Sequence, residues 1–137
     1  MTEKKTININ MINDFLIISI TGSDDLIGLK IKNNFFIKKF NNNIKNNETI
    51  VNDIFEFIKQ KSVNIDKNFS IMVNSGPGSF SGIRISIAVA KGIKISKGCK
   101  LYSYKADDLS EFNLKNIELL IKNNLLENKL IKPVYIS

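Results

Sequence analysis

The stretch FSIMVNSGPGSFSGIRISIAVAKGI, residues 69–93, decides the fold, because its character changes on either side of a glycine-rich turn. The apolar run at 69–73 predicts a buried strand. Residues 75–82 contain three glycines and a proline, a composition typical of a tight turn between two elements. A helical pattern then continues to about Ser96, and KLYSY at 100–104 predicts another strand. These residues therefore predict a strand, a turn, a helix and a second strand in succession.

The residues before this unit predict three short strands and a helix. The strands are DFLIISI (14–20), LIGLKI (26–31) and NFFIKKF (34–40), with turns at 21–25 and at Asn33–Asn34. Apolar residues recur at three- and four-residue spacing from Glu48 to about Lys61, which predicts a helix. The asparagine-rich segment 41–47 is interpreted as a loop, and residues 1–13 as a loosely attached start.

The predicted order is β-β-β-α-β-α-β-α, closed by a helix over 113–131. Three antiparallel strands followed by helix-linked strands give an α/β protein, with a mixed five-stranded sheet and helices packed on it. This order resembles the ribonuclease-H-like fold and one lobe of the actin-like ATPases (ASKHA), although a fold does not settle function. We interpret residues 1–137 as a single lobe in which 113–137 form the C-terminal helix and tail.

The composition narrows the chemistry without identifying a ligand. The 137 residues carry a net charge of +7, and Arg84 is the only arginine among scattered lysines. Such a balance is common in nucleic-acid-binding proteins, but abundant isoleucine, asparagine and lysine are also what an AT-rich coding sequence produces. The chain has no histidine, which excludes a Ser-His-Asp or Cys-His catalytic device and imidazole metal ligands. We predict no metal and no cofactor.

The cysteine count and the length of the apolar runs predict the cellular context. The single cysteine, Cys99, cannot form an internal disulfide, which fits a reducing cytoplasm. No apolar run approaches the ~20 residues that a membrane-spanning helix needs. The basic start has no long apolar segment behind it, so it does not read as a secretory signal. We expect a cytoplasmic protein without a membrane segment.

The turn at 75–82 has two chemical interpretations. It is not a P-loop, because an isoleucine and Arg84 follow Gly82 where that motif has a lysine and a Ser/Thr. The spacing of Gly76, Gly78 and Gly82 also differs from the dinucleotide-binding fingerprint. One interpretation is an anion site at the start of the next helix, assisted by Arg84. The other is a tight strand-to-helix corner, in which the glycines supply unusual backbone angles and the proline fixes one φ.

The helix after the turn has two apolar faces. One face is predicted to lie on the sheet, with Gly92 allowing close approach, and it consists of Ile85, Ala88, Val89, Gly92 and Ile93. The opposite face consists of Ile83, Ile87 and Ala90. Such an outer stripe is covered either by another helix of the chain or by a partner protein. The 48–61 helix is placed alongside it, so that Ile50, Ile54 and Phe57 extend the stripe.

Few other polar side chains point to chemistry. Asp24 and Asp25 are interpreted as solvated carboxylates of a hairpin turn. Cys99 has no identifiable activating partner. Tyr102 and Tyr104 alternate along a strand, which favours packing over base stacking.

The segment GPGSFSGIRISIAVAKG resembles the TsaB family, the dimerisation subunit of the bacterial machinery that makes threonylcarbamoyladenosine in tRNA. The family pattern is close to G-P-G-S-F-T-G-[LVI]-R-[IV]-x-x-x-x-A-K-G. The matching positions are Gly76, Pro77, Gly78, Ser79, Phe80, Gly82, Arg84, Ala90, Lys91 and Gly92, with Ser81 in place of the threonine. The closing KLIKPVYIS is similar to the family's C-terminal P-V-Y-[LI]-R at Pro133, Val134, Tyr135 and Ile136.

Two features depart from the family pattern. Family members usually carry a second lobe between these parts, and we expect this chain to lack it. They also usually open with an I-D-T-[AS] turn, whereas here Ile20 stands where the aspartate would be. In the actin-like ATPases that acid helps to handle metal and phosphate. Its replacement argues against nucleotide chemistry in this chain.

The resemblance implies a non-catalytic scaffold that pairs, helix layer against helix layer, with the catalytic paralogue TsaD. The ATPase TsaE would join the complex, and tRNA would bind only through it. The predicted partner-binding residues are Ile50, Ile54, Phe57, Ile83, Ile87, Ala90 and Lys91, and a homodimer through the same surface is expected when TsaD is absent. Two alternatives stay open: an ASKHA-type protein that binds a nucleotide or phosphate at Gly76–Gly82, and direct RNA binding by the basic surface.

Overall fold

The structure, a computed structural model, describes residues 12–40 and 47–128. The predicted order β-β-β-α-β-α-β-α is confirmed. The elements are β1 (Phe15–Ser19), β2 (Leu26–Ile31), β3 (Asn34–Lys39), α1 (Asn47–Gln60), β4 (Ser70–Asn74), α2 (Phe80–Lys97), β5 (Lys100–Tyr104) and α3 (Leu114–Lys122), with a 3₁₀ turn at Ala106–Asp108. The predicted start at 1–13, loop at 41–47 and tail motif at 133–136 lie wholly or largely outside the described residues.

The five strands form one mixed sheet, as predicted, in the order β3-β2-β1-β4-β5. β1 pairs antiparallel with β2 and parallel with β4, and β5 adds parallel to β4. The register places Phe15, Ser70 and Lys100 in one row where β1, β4 and β5 begin. We call this side of the molecule the amino end of the sheet, and the side where these three strands finish the carboxyl end.

Alternating side chains divide the core into two layers, one on each face of the sheet. Leu16 and Ile18 of β1 belong to the layer beneath α1 and α2. Phe15 and Ile17 belong to the layer beneath α3. Because β1 is buried on both faces, it reads as a continuous apolar run rather than an alternating one. Among the described helices, none is both long enough and apolar enough to span a membrane.

The orientation predicted for α2 is only partly right: Val89 and Ile93 of the predicted sheet-facing side are buried, but the rest of the prediction fails. Ile83, Ile87 and Ala90 are buried against the sheet and α1, whereas Ala88 and Gly92 are exposed. The sheet-facing side is the one with the bulky isoleucines, because their burial removes more apolar area from water than burial of alanine and glycine. The predicted close approach at Gly92 is absent as well, since no heavy atom outside the helix backbone lies within 4 Å of the position that a Cβ would occupy.

The last helix is shorter than predicted. It ends at Lys122 rather than near residue 131, and Asn124 adopts a left-handed conformation with φ of 58°. Asparagine tolerates this conformation better than other side chains and is a poor helix former, so the Asn123–Asn124 pair stops the helix. Glu127 then exchanges two backbone hydrogen bonds with Ser103 of β5, at N···O distances of 2.8 and 2.9 Å.

Candidate functional site

The glycine-rich turn is packed directly against the end of β1. The Ser79 amide donates to the Thr21 carbonyl oxygen at 2.7 Å. A Cβ atom on Gly78 would lie 2.6 Å from Cβ of Thr21, and one on Gly82 would lie 2.7 Å from the Ile20 carbonyl oxygen. Neither distance is sterically allowed. The glycines are therefore required where the turn touches residues 20–21.

The entry to the turn is held from the other side by the end of β5. Ser75 donates to the Tyr104 carbonyl oxygen through both its amide, at 3.0 Å, and its hydroxyl, at 3.1 Å. Gly76 has φ of 107° and donates its amide to Asn74 Oδ1 at 2.9 Å, ahead of a cis peptide bond to Pro77. The Gly76 carbonyl oxygen accepts from the Ala106 amide at 2.9 Å. The turn is thus a corner fastened to two strand ends, and these contacts account for its glycines without a ligand.

The start of α2 carries its own internal bond. Ser86 is buried and donates its hydroxyl to the Gly82 carbonyl oxygen at 2.7 Å. Pro77, Ser79, Ser81 and Arg84 of the motif are exposed, whereas its three glycines are buried. The Phe80 side chain lies outside the described atoms. The motif therefore combines a buried glycine framework with a polar outer surface.

Asp25 is buried, which corrects the prediction of a solvated carboxylate. It is 1% exposed, and its Oδ1 atom accepts the amides of Thr21 at 3.0 Å and Gly22 at 2.9 Å. These bonds fold residues 21–25 back toward β2 and present Thr21 and Gly22 to the glycine-rich turn. In the sequence, a polar residue such as Asp25 shortly after a strand indicates only a turn. Its long-range role depends on the contact between residues 20–22 and 78–82, which the local sequence does not reveal. Asp24 is exposed, as predicted.

Replacing Asp25 with alanine is expected to lower the free energy of unfolding by about 2 kcal/mol, because two amides in a partly buried site lose their acceptor. Urea denaturation measures the loss, and amide hydrogen exchange at Thr21 and Gly22 should accelerate. Asp25→Asn keeps one acceptor oxygen and should lose less. Asp24→Asn removes the same charge from an exposed side chain and should be nearly neutral; an equal effect at both positions would contradict this assignment.

A cavity of about 460 Å³ opens at the carboxyl end of the sheet. Ser19 and Asn74, from neighbouring strands β1 and β4, line it together with Phe112. The chain leaves these two strands in opposite directions across the sheet, and α/β sheets commonly bind ligands at such a point. Asp24 and Glu111 contribute carboxylates to the lining and Lys39 an ammonium. Two carboxylates against one ammonium do not favour an anionic ligand in this cavity, and the predicted phosphate site at Gly76–Gly82 does not line it.

Two side chains, the Tyr104 hydroxyl and the Cys99 thiol, could act as nucleophiles if they lost their protons, but burial suppresses their ionisation. The Tyr104 hydroxyl lies beside Ser19 and Asn74 but has no partner at hydrogen-bonding geometry within the described residues, and burial raises its pKa well above the usual value. Burial also raises the pKa of the Cys99 thiol. Both groups stay protonated at neutral pH, so neither is an activated nucleophile.

The predicted partner-binding surface is mostly inside the protein, which is a correction. Six of the seven residues are buried in the core between the sheet and the helices: Ile50, Ile54, Phe57, Ile83, Ile87 and Ala90. Lys91 is half-buried. The two helices cover each other's apolar stripes, which was the first of the two explanations offered for the outer stripe. The sizes of the side chains on the two faces of α2 were the signal that could have given the right orientation.

A different apolar surface faces outward from the same two helices, and we call it the helix outer face. It comprises Phe55 of α1 and Ile85, Ala88, Gly92 and Ile95 of α2. Ile95 is 85% exposed and Phe55 is 48% exposed. A groove of about 310 Å³, lined mainly by apolar side chains such as Ile58, Val63 and Ile93, lies between Phe55 and Gly92.

Known proteins share both a local sequence and this fold. No protein-family model matches the chain. Over 53 residues the chain is 42% identical to the tRNA threonylcarbamoyladenosine biosynthesis protein TsaB of Buchnera aphidicola subsp. Baizongia pistaciae (strain Bp), a match that spans 37% of this chain and 24% of that protein. This chain therefore aligns with about a quarter of that relative's length.

Two solved structures have the same architecture. YeaZ from Pseudomonas aeruginosa superposes with a TM-score of 0.58 at 16% identity, covering 72% of this chain and 46% of YeaZ. A structure described as an uncharacterized protein with similarity to peptidase YEAZ from Pseudomonas aeruginosa gives a TM-score of 0.60 at 16% identity, over 72% of this chain and 45% of that one. At such identities the likeness shows the fold, which confirms the predicted ribonuclease-H-like, actin-like α/β class. The chain is therefore similar in local sequence to part of TsaB and in fold to part of YeaZ.

Proposed function

We propose that this chain is a non-catalytic scaffold subunit in the formation of threonylcarbamoyladenosine in tRNA, and that it binds a TsaD-type catalytic paralogue through the helix outer face. The TsaB relative is named for this biosynthesis. The observation that carries the docking part is the exposed apolar stripe of α2, which no other element of the described residues covers.

The composition of the helix outer face suits a partner helix. Ala88 and Gly92 are small, so a second helix can approach the α2 backbone closely. Ile95 and Phe55 stand on either side of them and supply the bulk of the apolar area. Burial of such area stabilises a complex by roughly 25 cal/mol per Å² before the costs of association are subtracted. A homodimer through the same face is expected in the absence of the partner.

A non-catalytic role is consistent with the side chains available. The sequence supplies no histidine as a general base. Burial holds the Cys99 thiol and the Tyr104 hydroxyl in their protonated forms. The catalytic groups would then come from the paralogue. Association with a TsaE-type ATPase and a cytoplasmic location complete the proposal.

Co-purification with the TsaD-type protein of the same cell tests the proposal. Ala88→Glu places a carboxylate in the middle of the helix outer face and should weaken the complex by about thirtyfold or more, while the far-UV circular dichroism stays unchanged. Leu119→Glu is the control, because Leu119 is an exposed apolar residue of α3 on the opposite face of the sheet. Retention of the complex by Ala88→Glu would refute docking at this face, and failure of the unmodified chain to co-purify would refute the scaffold role.

A further inference from the structure

The positive charge of the chain is concentrated in one segment. Residues 57–106 contain nine lysines and arginines against one acid, Asp66, which is a surplus of eight. The rest of the chain carries eleven lysines against twelve acids. The net charge of +7 therefore belongs to the part of the chain that runs from the end of α1 to the end of β5.

The sheet register brings four lysines to the amino end. Lys30 of β2 pairs with Phe15, and Lys100 of β5 pairs with Ser70 in the same row. Lys32 lies in the turn after β2, and Lys67 lies in the turn before β4. With strands about 4.8 Å apart, the backbones of β2 and β5 are separated by roughly 14 Å, so these lysines are spread across the amino end of the sheet. The Lys30 ammonium donates to the Asn13 carbonyl oxygen at 3.0 Å.

The two long helices add four more lysines to this end. α1 leads into β4 and α2 leads into β5, so both helices finish where those strands begin. Lys59 and Lys61 stand at the end of α1, and Lys94 and Lys97 in the last turn of α2. All four are exposed, and they surround the loops at the amino end on the side of the helices.

The nearby carboxylates neutralise these lysines only in part. Asp14 accepts the Lys32 amide at 2.8 Å across the start of the sheet, and Asp66 accepts the Asn68 amide at 2.9 Å within a turn, so these two acids offset part of the charge of the eight lysines. Within residues 12–40 and 47–128, none of the eight lysines forms an ion pair with a carboxylate. The carboxyl end is closer to neutral, because its exposed acids Asp24, Asp107, Asp108 and Glu111 are accompanied by Lys39, Arg84 and Lys105. The surplus of positive charge therefore lies at the amino end.

The neutral side chains at the amino end indicate which polyanion fits. The exposed residues between the lysines are mainly asparagines: Asn13, Asn33, Asn34, Asn64 and Asn68. Their amides can bond to phosphate oxygens and sugar hydroxyls. The exposed large apolar side chains of the described residues lie on β3, on the helix outer face and on α3 or just after it. Of these, Ile95 stands between Lys94 and Lys97, and the groove of the helix outer face reaches Asn64 and Lys97, so apolar surface adjoins this end on the side of the helices. The choice of RNA over a membrane surface, which would need an apolar face to insert, therefore rests on the asparagines.

We propose that the amino end of the sheet binds the phosphate backbone of RNA through these lysines and asparagines. The site goes beyond the proposed function, which assigns tRNA to the complex, and it rests on that function only for the choice of RNA over another polyanion. Contacts of this kind position an RNA without reading its sequence. The chain would hold the substrate RNA at one end while the helix outer face holds the catalytic partner.

The test uses the whole chain and an unmodified, fluorescently labelled tRNA transcript, with anisotropy measured between 50 and 300 mM KCl. If about five lysines contact phosphates, log Kd should change with log salt with a slope of roughly 4. The double variant Lys32→Gln/Lys67→Gln should bind about tenfold more weakly at 100 mM salt and lose about 1.5 to 2 from the slope. The matched control is Lys39→Gln/Lys105→Gln, which removes two exposed lysines from the carboxyl end and should change affinity less than twofold.

Several outcomes would overturn the proposal. Equal weakening by both double variants would mean that net charge, not the amino end, attracts RNA. No binding at 50 mM salt would exclude the site, and tighter binding to phosphatidylserine vesicles than to tRNA would assign the end to a membrane. Co-purification with the TsaD-type protein is measured for the same variants. RNA binding without TsaD association would refute only the scaffold role. TsaD association without RNA binding would refute only the RNA site.

Discussion

Gly82→Ala is expected to destabilise the protein by about 3 kcal/mol, the upper end of the usual cost of overpacking a core. The added methyl group would meet the Ile20 carbonyl oxygen at 2.7 Å. That oxygen belongs to the backbone just after the central strand β1, so it cannot rotate away as a flexible side chain would. Relief of the clash requires α2 to move off the sheet, which costs packing of Ile83 as well. The midpoint of urea denaturation should fall with little change in the m-value.

Gly92→Ala is the matched control for this substitution. It adds the same methyl group to the same helix, at a position with no heavy atom within 4 Å outside the helix's own backbone. Alanine loses less backbone entropy than glycine in a helix, so the variant should be more stable by about 0.5–1 kcal/mol. A midpoint that falls for both variants, or for neither, would contradict the close contact between Gly82 and Ile20.

Ile87→Asp should abolish cooperative folding. Ile87 is 6% exposed and lies in the layer shared by the sheet, α1 and α2. The substitution removes a large apolar side chain and places a charge where water is excluded, which costs several kcal/mol. That loss is comparable with the whole stability of a small domain. Circular dichroism and thermal denaturation should show a chain without a sharp transition.

Ile95→Asp makes the same chemical change two helical turns later. Ile95 is 85% exposed, so the cost should stay below about 1 kcal/mol, part of it from a carboxylate near the helix C-terminus. The pair therefore separates the two faces of α2 by experiment. A folded Ile87→Asp variant with a transition within a few degrees of the unmodified chain would restore the orientation that the periodicity predicted.

The strands and the sheet could be predicted from the sequence, because the residue patterns that indicate them lie within short segments. Each strand is a short apolar run bounded by Asn, Gly or Asp, and the three-strand meander before the helices limits the topology to a mixed sheet. The bounds agree within two residues except at the start of α2, which begins at Phe80 inside the predicted turn, and at the last helix, where Asn124 stops an apolar pattern that continues beyond it. The periodicity of the apolar residues alone does not show where this helix ends.

The candidate site was harder to predict from the sequence, because its geometry depends on contacts between residues that are far apart in the chain. Helix α2 has two apolar faces at helical spacing, and the spacing alone does not show which face lies on the sheet. Side-chain volume distinguishes them, and without it the prediction places Ile83 and Ile87 on the wrong side. The choice between a phosphate site and a corner also stayed open. It depended on whether residues 20–22 touch Gly78 and Gly82, and those residues are nearly sixty positions away.

The contact between Thr21 and the glycine-rich turn has a consequence for the order of folding. The Ser79 amide and the Thr21 carbonyl oxygen close a loop of 58 positions, so the corner cannot form before the first hairpin and β4 have come together. Closing a loop of that length costs chain entropy that only the completed sheet repays. Non-local closure of this kind slows folding relative to helical proteins of the same size. We therefore expect α2 to pack on the sheet late in folding, after the transition state. Substitutions at Gly82 should then accelerate unfolding more than they slow refolding.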